Sequence, residues 1–172
     1  MTPEQAARQQ IDAALEAAGW ILRDAAHAAV KAARGVAVRE FPLKTGYGFA
    51  DYLLYVDGHA VGVIEAKKAG ETLTGVELQA EKYAAGLQEF LPAPIRPLPF
   101  LFQSTGVETR FTNRLDPEPR SRRVFHFFQP VTLAGWLAAD RLWLPTVGGK
   151  PDPRSCYPST LRSRLAPATR TC

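Results

Sequence analysis

Residues 48–73 read GFADYLLYVDGHAVGVIEAKKAGETL, and they decide the fold. Two apolar runs, 50–56 and 60–67, flank Asp57-Gly58, a strong hairpin signal. Three charged residues sit inside these runs: Asp51, Glu65 and Lys67. Side chains alternate across a strand, so Glu65 and Lys67 share one face with Val61 and Val63. Asp51 shares a face of its own strand with Leu53 and Tyr55. A two-residue loop pairs residue 56 with 59 and sets Asp51 against Ile64, leaving Glu65 diagonal. A three-residue loop pairs 56 with 60 and sets Asp51 opposite Glu65. Opposed carboxylates repel, and burying them unpartnered costs more. A divalent cation such as Mg²⁺ removes both costs, because it takes one or two carboxylates together with waters and a phosphate. Lys67 could then hold a water or offset charge on that phosphate. The plainer reading is a salt bridge from Lys67 to Glu65 or Asp51 on a solvent-facing sheet.

Outward from the hairpin, residues 3–18 carry apolar positions at helical spacing and end at Gly19. Residues 21–34 are alanine-rich and fit a short helix or a loop. Val36 to Leu43 reads as a strand. Beyond the hairpin, Thr74-x-x-Glu77 has the form of a capping box and opens a helix of about 75–90. Gln79 and Tyr83, four apart, share a face of that helix. They could orient phosphate oxygens or an attacking water, or simply be an exposed amide and a core phenol. LPAPIRPLP cannot be helical. Pro99 to Gln103, Glu108 to Phe111 and Val124 to Phe128 read as strands, and Thr132 to Ala139 as a short helix. The order predicts an α/β fold, a mixed sheet with helices packed on it. The domain is expected over residues 1–145, with a loose tail over 146–172 that is rich in Pro, Ser, Thr and Arg.

The 172 residues carry a net charge of +4. Residues 1–90 hold 9 Lys and Arg against 12 Asp and Glu, whereas residues 91–172 hold 12 against 5. A basic half beside a locally acidic one suits a polyanion gripped near a metal, or else a solvated basic tail. Arg110, Arg114, Arg120, Arg122 and Arg123 are candidate phosphate contacts. No apolar run is long enough to span a membrane and no secretion signal is visible. Cys156 and Cys172 lack metal-site spacing, so a reducing cytoplasm is expected.

Asp51, Glu65-Ala66-Lys67 and Gln79-x-x-x-Tyr83 together resemble the PD-(D/E)xK nuclease superfamily, in its RecB-type branch with a QxxxY motif. IDAALEAAGW, VREFPL, GFADYLLYVDGHAVGVIEAKK, QAEKYAAGL, FLFQSTGVETRF and RRVFHFFQPVTLAGWL, in that order, resemble the N-terminal endonuclease region of type I restriction enzyme R (HsdR) subunits. The likeness covers residues 4 to 145. It implies a restriction-endonuclease-like sheet flanked by helices. It also implies a DNA endonuclease of a restriction-modification system with little sequence preference of its own. Asp51, Glu65 and the Ala66 carbonyl would bind Mg²⁺, with Mn²⁺ able to stand in. Lys67 would position or activate the water, and Gln79 and Tyr83 would support the nucleotide or the geometry. Glu4 and Arg8 on the first helix would face the site, Arg8 as a further DNA contact.

The resemblance further implies double-stranded DNA as partner, and modification and specificity subunits. In that family a DNA translocase follows; none is expected here. Gly148-Gly149-Lys150 does not complete a phosphate loop, so no ATP site is expected. Two other readings remain: an idle DNA-binding or docking remnant, and a repair or junction-resolving nuclease.

Overall fold

The computed structural model describes residues 2–73, 82, 85–142, 146, 147, 150 and 151. Two compact units divide it, Met1–Ala134 and Gly135–Cys172. The first is built on a seven-stranded mixed sheet whose strands lie side by side in chain order. They are β1 (Ile21–Asp24), β2 (Gly35–Pro42), β3 (Phe49–Val56), β4 (His59–Ala66), β5 (Phe100–Ser104), β6 (Thr109–Asn113) and β7 (Arg122–Val124). The pairs β1/β2 and β4/β5 are parallel and the other four are antiparallel.

Helix α1 (Pro3–Ala17) opens at a reciprocal capping box: the Thr2 hydroxyl accepts from the Gln5 amide, and the Gln5 side chain accepts from the Thr2 amide. Ala7, Ile11 and Leu15, at helical spacing, form its buried stripe. The Tyr52 hydroxyl donates to Asp12 on α1 at 2.8 Å, which identifies the sheet face that α1 covers. Burial, together with the bond to Asp12, holds the Tyr52 phenol well above its ordinary range. Tyr52, Ile64 and Phe102 lie in register on that face. The opposite face carries Val36, Val38, Leu53, Tyr55, Val63 and Leu101, which pack in one cluster with Leu43, Leu87 and Leu98 from the connections.

The hairpin combines the two arrangements that its sequence left open. Asp57 and Gly58 both have positive φ, 48° and 79°, as a two-residue turn of this handedness requires, and Val56 pairs with His59. A bulge then shifts the register by one: Tyr55 pairs with Ala60, but Leu54 pairs with Gly62. From there Leu53 meets Val63 and Tyr52 meets Ile64. One step further the same register brings Asp51 opposite Glu65. The opposition expected of a three-residue loop is thus reached with a two-residue turn and one extra residue in β4.

Three expectations are corrected. Residues 21–24 form a strand, too short to show alternation, followed by a 3₁₀ turn at Ala25–His27. The helix expected over 75–90 does not continue to 90. Lys82 and Ala85 are helical, but Gly86 is a turn whose amide donates to the Lys82 carbonyl, and 87–90 are non-helical. The Arg96 guanidinium donates to the carbonyls of Leu87, Gln88, Glu89 and Leu91, which fixes the chain after that helix. The last strand is Arg122–Val124, not 124–128. The aromatic run after it has another use: Phe127 and Phe128 leave the ladder and pack against Phe102, while Phe125 is 96% exposed.

In the second unit, Thr146–Val147 and Lys150–Pro151 pair as a two-residue antiparallel ladder. The remainder of the expected tail, 152–172, lies outside the described residues. Helix α2 (Pro130–Leu142) encloses the predicted 132–139. No helix among the described residues is long and apolar enough to cross a membrane.

Candidate active site

Asp51 stands near the start of β3, and Glu65 near the end of the adjacent β4. The hairpin and its bulge bring the two carboxylates to one face at one end of the sheet. Asp51 Oδ2 accepts from the backbone N–H of Ala66 at 2.9 Å, and Oδ1 accepts from Arg8 Nη2 at 2.7 Å. Arg8 also bridges to Glu40 at 2.5 Å. Glu65 Oε1 and Lys67 Nζ lie 2.7 Å apart. Glu65 is only 2% exposed, so the solvent-facing salt bridge of the plainer reading is corrected: the pair exists, but its acid is buried. The Lys67 amide donates to the Ser104 carbonyl at 2.8 Å, which carries the β4/β5 pairing one residue past Ala66.

A groove of about 390 Å³ opens beside this corner, lined by Glu4, Gln5 and Arg8 from α1 and by Ala66, Lys67 and Lys68. The first helix and the end of β4 therefore meet at one opening. A second groove, of about 450 Å³, lies across Arg8 and includes Asp12, Arg39 and Asp51. In it, Arg39 bridges Asp12 at 2.9 Å and Asp24 at 3.2 Å. The Asp12 bond, opposed by burial and joined by the charges of both acids, holds the Arg39 guanidinium above its ordinary range.

The Asp51 and Glu65 carboxylates stand at the corner, with Ala66 between Glu65 and Lys67. This donor set fits a hard divalent cation that keeps several waters. Among the described residues, no three or more His, Cys, Asp or Glu side chains are grouped to hold a metal.

Of the predicted site residues, Asp51, Glu65, Ala66 and Lys67 come together, with Glu4 and Arg8 beside them. Gln79 and Tyr83 lie outside the described residues. The arginine set is divided: Arg110 pairs with Glu108, Arg120 with Glu118 and Arg122 with Asp116. Arg123 is exposed with no acidic partner among the described residues.

One residue escaped the sequence reading. Gln103, on β5, pairs in parallel register with Glu65. It is 3% exposed, and its Oε1 has no hydrogen-bond partner among the described residues. An unmatched buried acceptor costs about 1–3 kcal/mol. The available signal was a lone amide in FLFQS that follows Leu101 by two and so shares its buried face.

The seven-stranded sheet, its flanking helices and the Asp–Glu–Lys corner define a restriction-endonuclease-like α/β fold. Residues 16–95 match the family model described as the second domain of the type I restriction enzyme EcoKI endonuclease subunit. A solved fragment described as an HsdR subunit of a type I restriction enzyme from Vibrio vulnificus YJ016 shares the fold, with a TM-score of 0.58 at 20% identity. That match covers 81% of this chain and 26% of the fragment, so the chain spans about a quarter of the structure it resembles. No curated protein matches the chain in sequence. The profile over residues 16–95 and the fold over most of the chain point to the same relatives, the endonuclease subunits of type I restriction enzymes.

Proposed function

We propose that the chain is a Mg²⁺-dependent DNA endonuclease domain of a type I restriction-modification system. The observation that carries this reading is the corner itself: a buried Glu65 beside Asp51, with the Lys67 ammonium 2.7 Å from the Glu65 carboxylate and facing an open groove. Asp51, Glu65 and the Ala66 carbonyl would hold the cation, which when bound supplies Lewis-acid stabilisation of charge on the scissile phosphate.

Lys67 orients the attacking water and, as the nearest ammonium, offsets the charge that builds on the phosphate oxygens. As water adds to phosphorus, one P–O ester bond breaks and the departing oxygen takes a proton. Arg8 holds Asp51 in place and stands between the two grooves, where it can meet a neighbouring phosphate. Gln79 and Tyr83 belong to this reading as supports of the nucleotide.

Double-stranded DNA is the partner, and the modification and specificity subunits of a type I assembly would choose where it is cut. With most of its neighbours ion-paired, Arg123 is the arginine of that set best placed to contact phosphate. Asp51→Ala, which removes a cation ligand, is expected to abolish metal-dependent nicking of plasmid DNA while the far-ultraviolet circular dichroism stays that of wild type. A folded Asp51→Ala protein that nicks at the wild-type rate would contradict the assignment.

A further inference from the structure

We infer that Gln103 is a further residue of this site: its carboxamide oxygen accepts from a water in the hydration shell of the cation and so holds that cation at Glu65. The inference rests on the metal-nuclease reading above and extends it to a residue on a third strand.

Three adjacent strands bring the groups into one row. Glu65 pairs with Gln103 in register, and Asp51 lies opposite Glu65 one step beyond the Tyr52–Ile64 pair. Glu65 is therefore flanked by Asp51 on one side and by Gln103 on the other, all on the face that carries Leu53, Val63 and Leu101. Leu101, two residues before Gln103, belongs to the core on that face. An apolar residue at 103 would continue the core without leaving an acceptor unmatched, so packing does not account for the amide. A neutral, hard oxygen beside a buried carboxylate suits a donor rather than a second anion. Mg²⁺ and Mn²⁺ keep several waters when few side chains bind them, and those waters donate. Outer partners of this kind typically alter metal affinity 10–100-fold. Because Gln103 acts through the water, it is a positioning residue.

The test is Mn²⁺ titration of the 172-residue chain, read by electron paramagnetic resonance, for wild type, Gln103→Met, Gln103→Glu and Asp51→Asn. Melting temperatures are taken in EDTA alongside. Gln103→Met should bind Mn²⁺ about 10-fold more weakly or worse, with a melting temperature in EDTA unchanged or raised, since an unmatched acceptor has gone. Gln103→Glu, which keeps an oxygen at that reach and adds charge, should bind at least as tightly as wild type. If Asp51→Asn weakens binding but Gln103→Met binds like wild type, the metal site stands and the role of Gln103 is overturned. Weaker binding by Gln103→Glu would overturn it as well. Should wild type bind no Mn²⁺, the metal reading itself fails and takes this inference with it.

Discussion

At the scale of single residues, the corner is balanced before any cation enters it. Asp51 faces Arg8, and Glu65 faces Lys67, so each carboxylate already has an ammonium or guanidinium against it. The proposed divalent cation would have to compete with these partners for the same oxygens. Arg8→Ala should therefore leave a more negative site that binds Mn²⁺ roughly 3–10-fold more tightly, the effect of about 1 kcal/mol expected of a partly exposed charge. The same Mn²⁺ titration reads this, and weaker binding by the variant would count against the competition. The sequence made Asp51, Glu65 and Lys67 conspicuous because charge inside an apolar run is costly and needs a reason. It did not single out Gln103, because a neutral amide at the end of a strand is ordinary until its burial and its neighbour are known.

At the scale of elements, the register of one hairpin builds the site. The Asp57-Gly58 turn was legible, since its positive φ angles favour Asp-Gly. The bulge was not, because the extra residue lies within AVGV, where every choice of register keeps the strand apolar. Gly62 follows that bulge and lies directly against β5. A methyl group there would fall on the Phe100 carbonyl oxygen and within 2.9 Å of the Phe100 side chain. Gly62→Ala should cost about 1–3 kcal/mol by forcing β4 and β5 apart, visible in urea unfolding; a stability equal to wild type would show that the strands can shift freely. The run VFHFF illustrates the opposite limit. Apolar composition suggested a strand, but tertiary packing draws Phe127 into the aromatic cluster and leaves Phe125 outside. Phe127→Ala should cost about 3–5 kcal/mol, as large core aromatics do. Phe125→Ser should be nearly neutral in the same assay, and similar losses for both would restore the strand reading.

At the scale of the whole molecule, the mixed α/β class was legible from the order of periodic segments, and the likeness to HsdR subunits from motifs spread along the chain in a fixed order. Which strands neighbour one another was not, because β4 and β5 are joined in parallel across more than thirty residues and no local pattern encodes that pairing. Two tyrosines in the sheet link the fold to pH. Burial pushes the Tyr55 phenol up to about 12 and Tyr52 higher still. Both are raised above the unfolded value near 10, so their contribution is fully present below about pH 10 and is lost as pH rises toward 12 and beyond. In an absorbance titration at alkaline pH these two tyrosines should ionise only together with unfolding; their early, reversible ionisation in the folded protein would contradict their burial. If the chain meets DNA as proposed, the basic half should supply phosphate contacts. Arg123→Ala should weaken DNA binding about equally across sequences and lower the salt slope by roughly one, whereas Arg120→Ala, already paired with Glu118, should change it less. The most direct measurement of the central claim is nicking of supercoiled plasmid by wild type and by Lys67→Ala, in Mg²⁺, in Mn²⁺ and in EDTA. The account predicts nicking by wild type in either metal, none in EDTA, and loss of at least two orders of magnitude in the folded variant. Nicking that persists in EDTA, or survives in a folded Lys67→Ala protein, would contradict it.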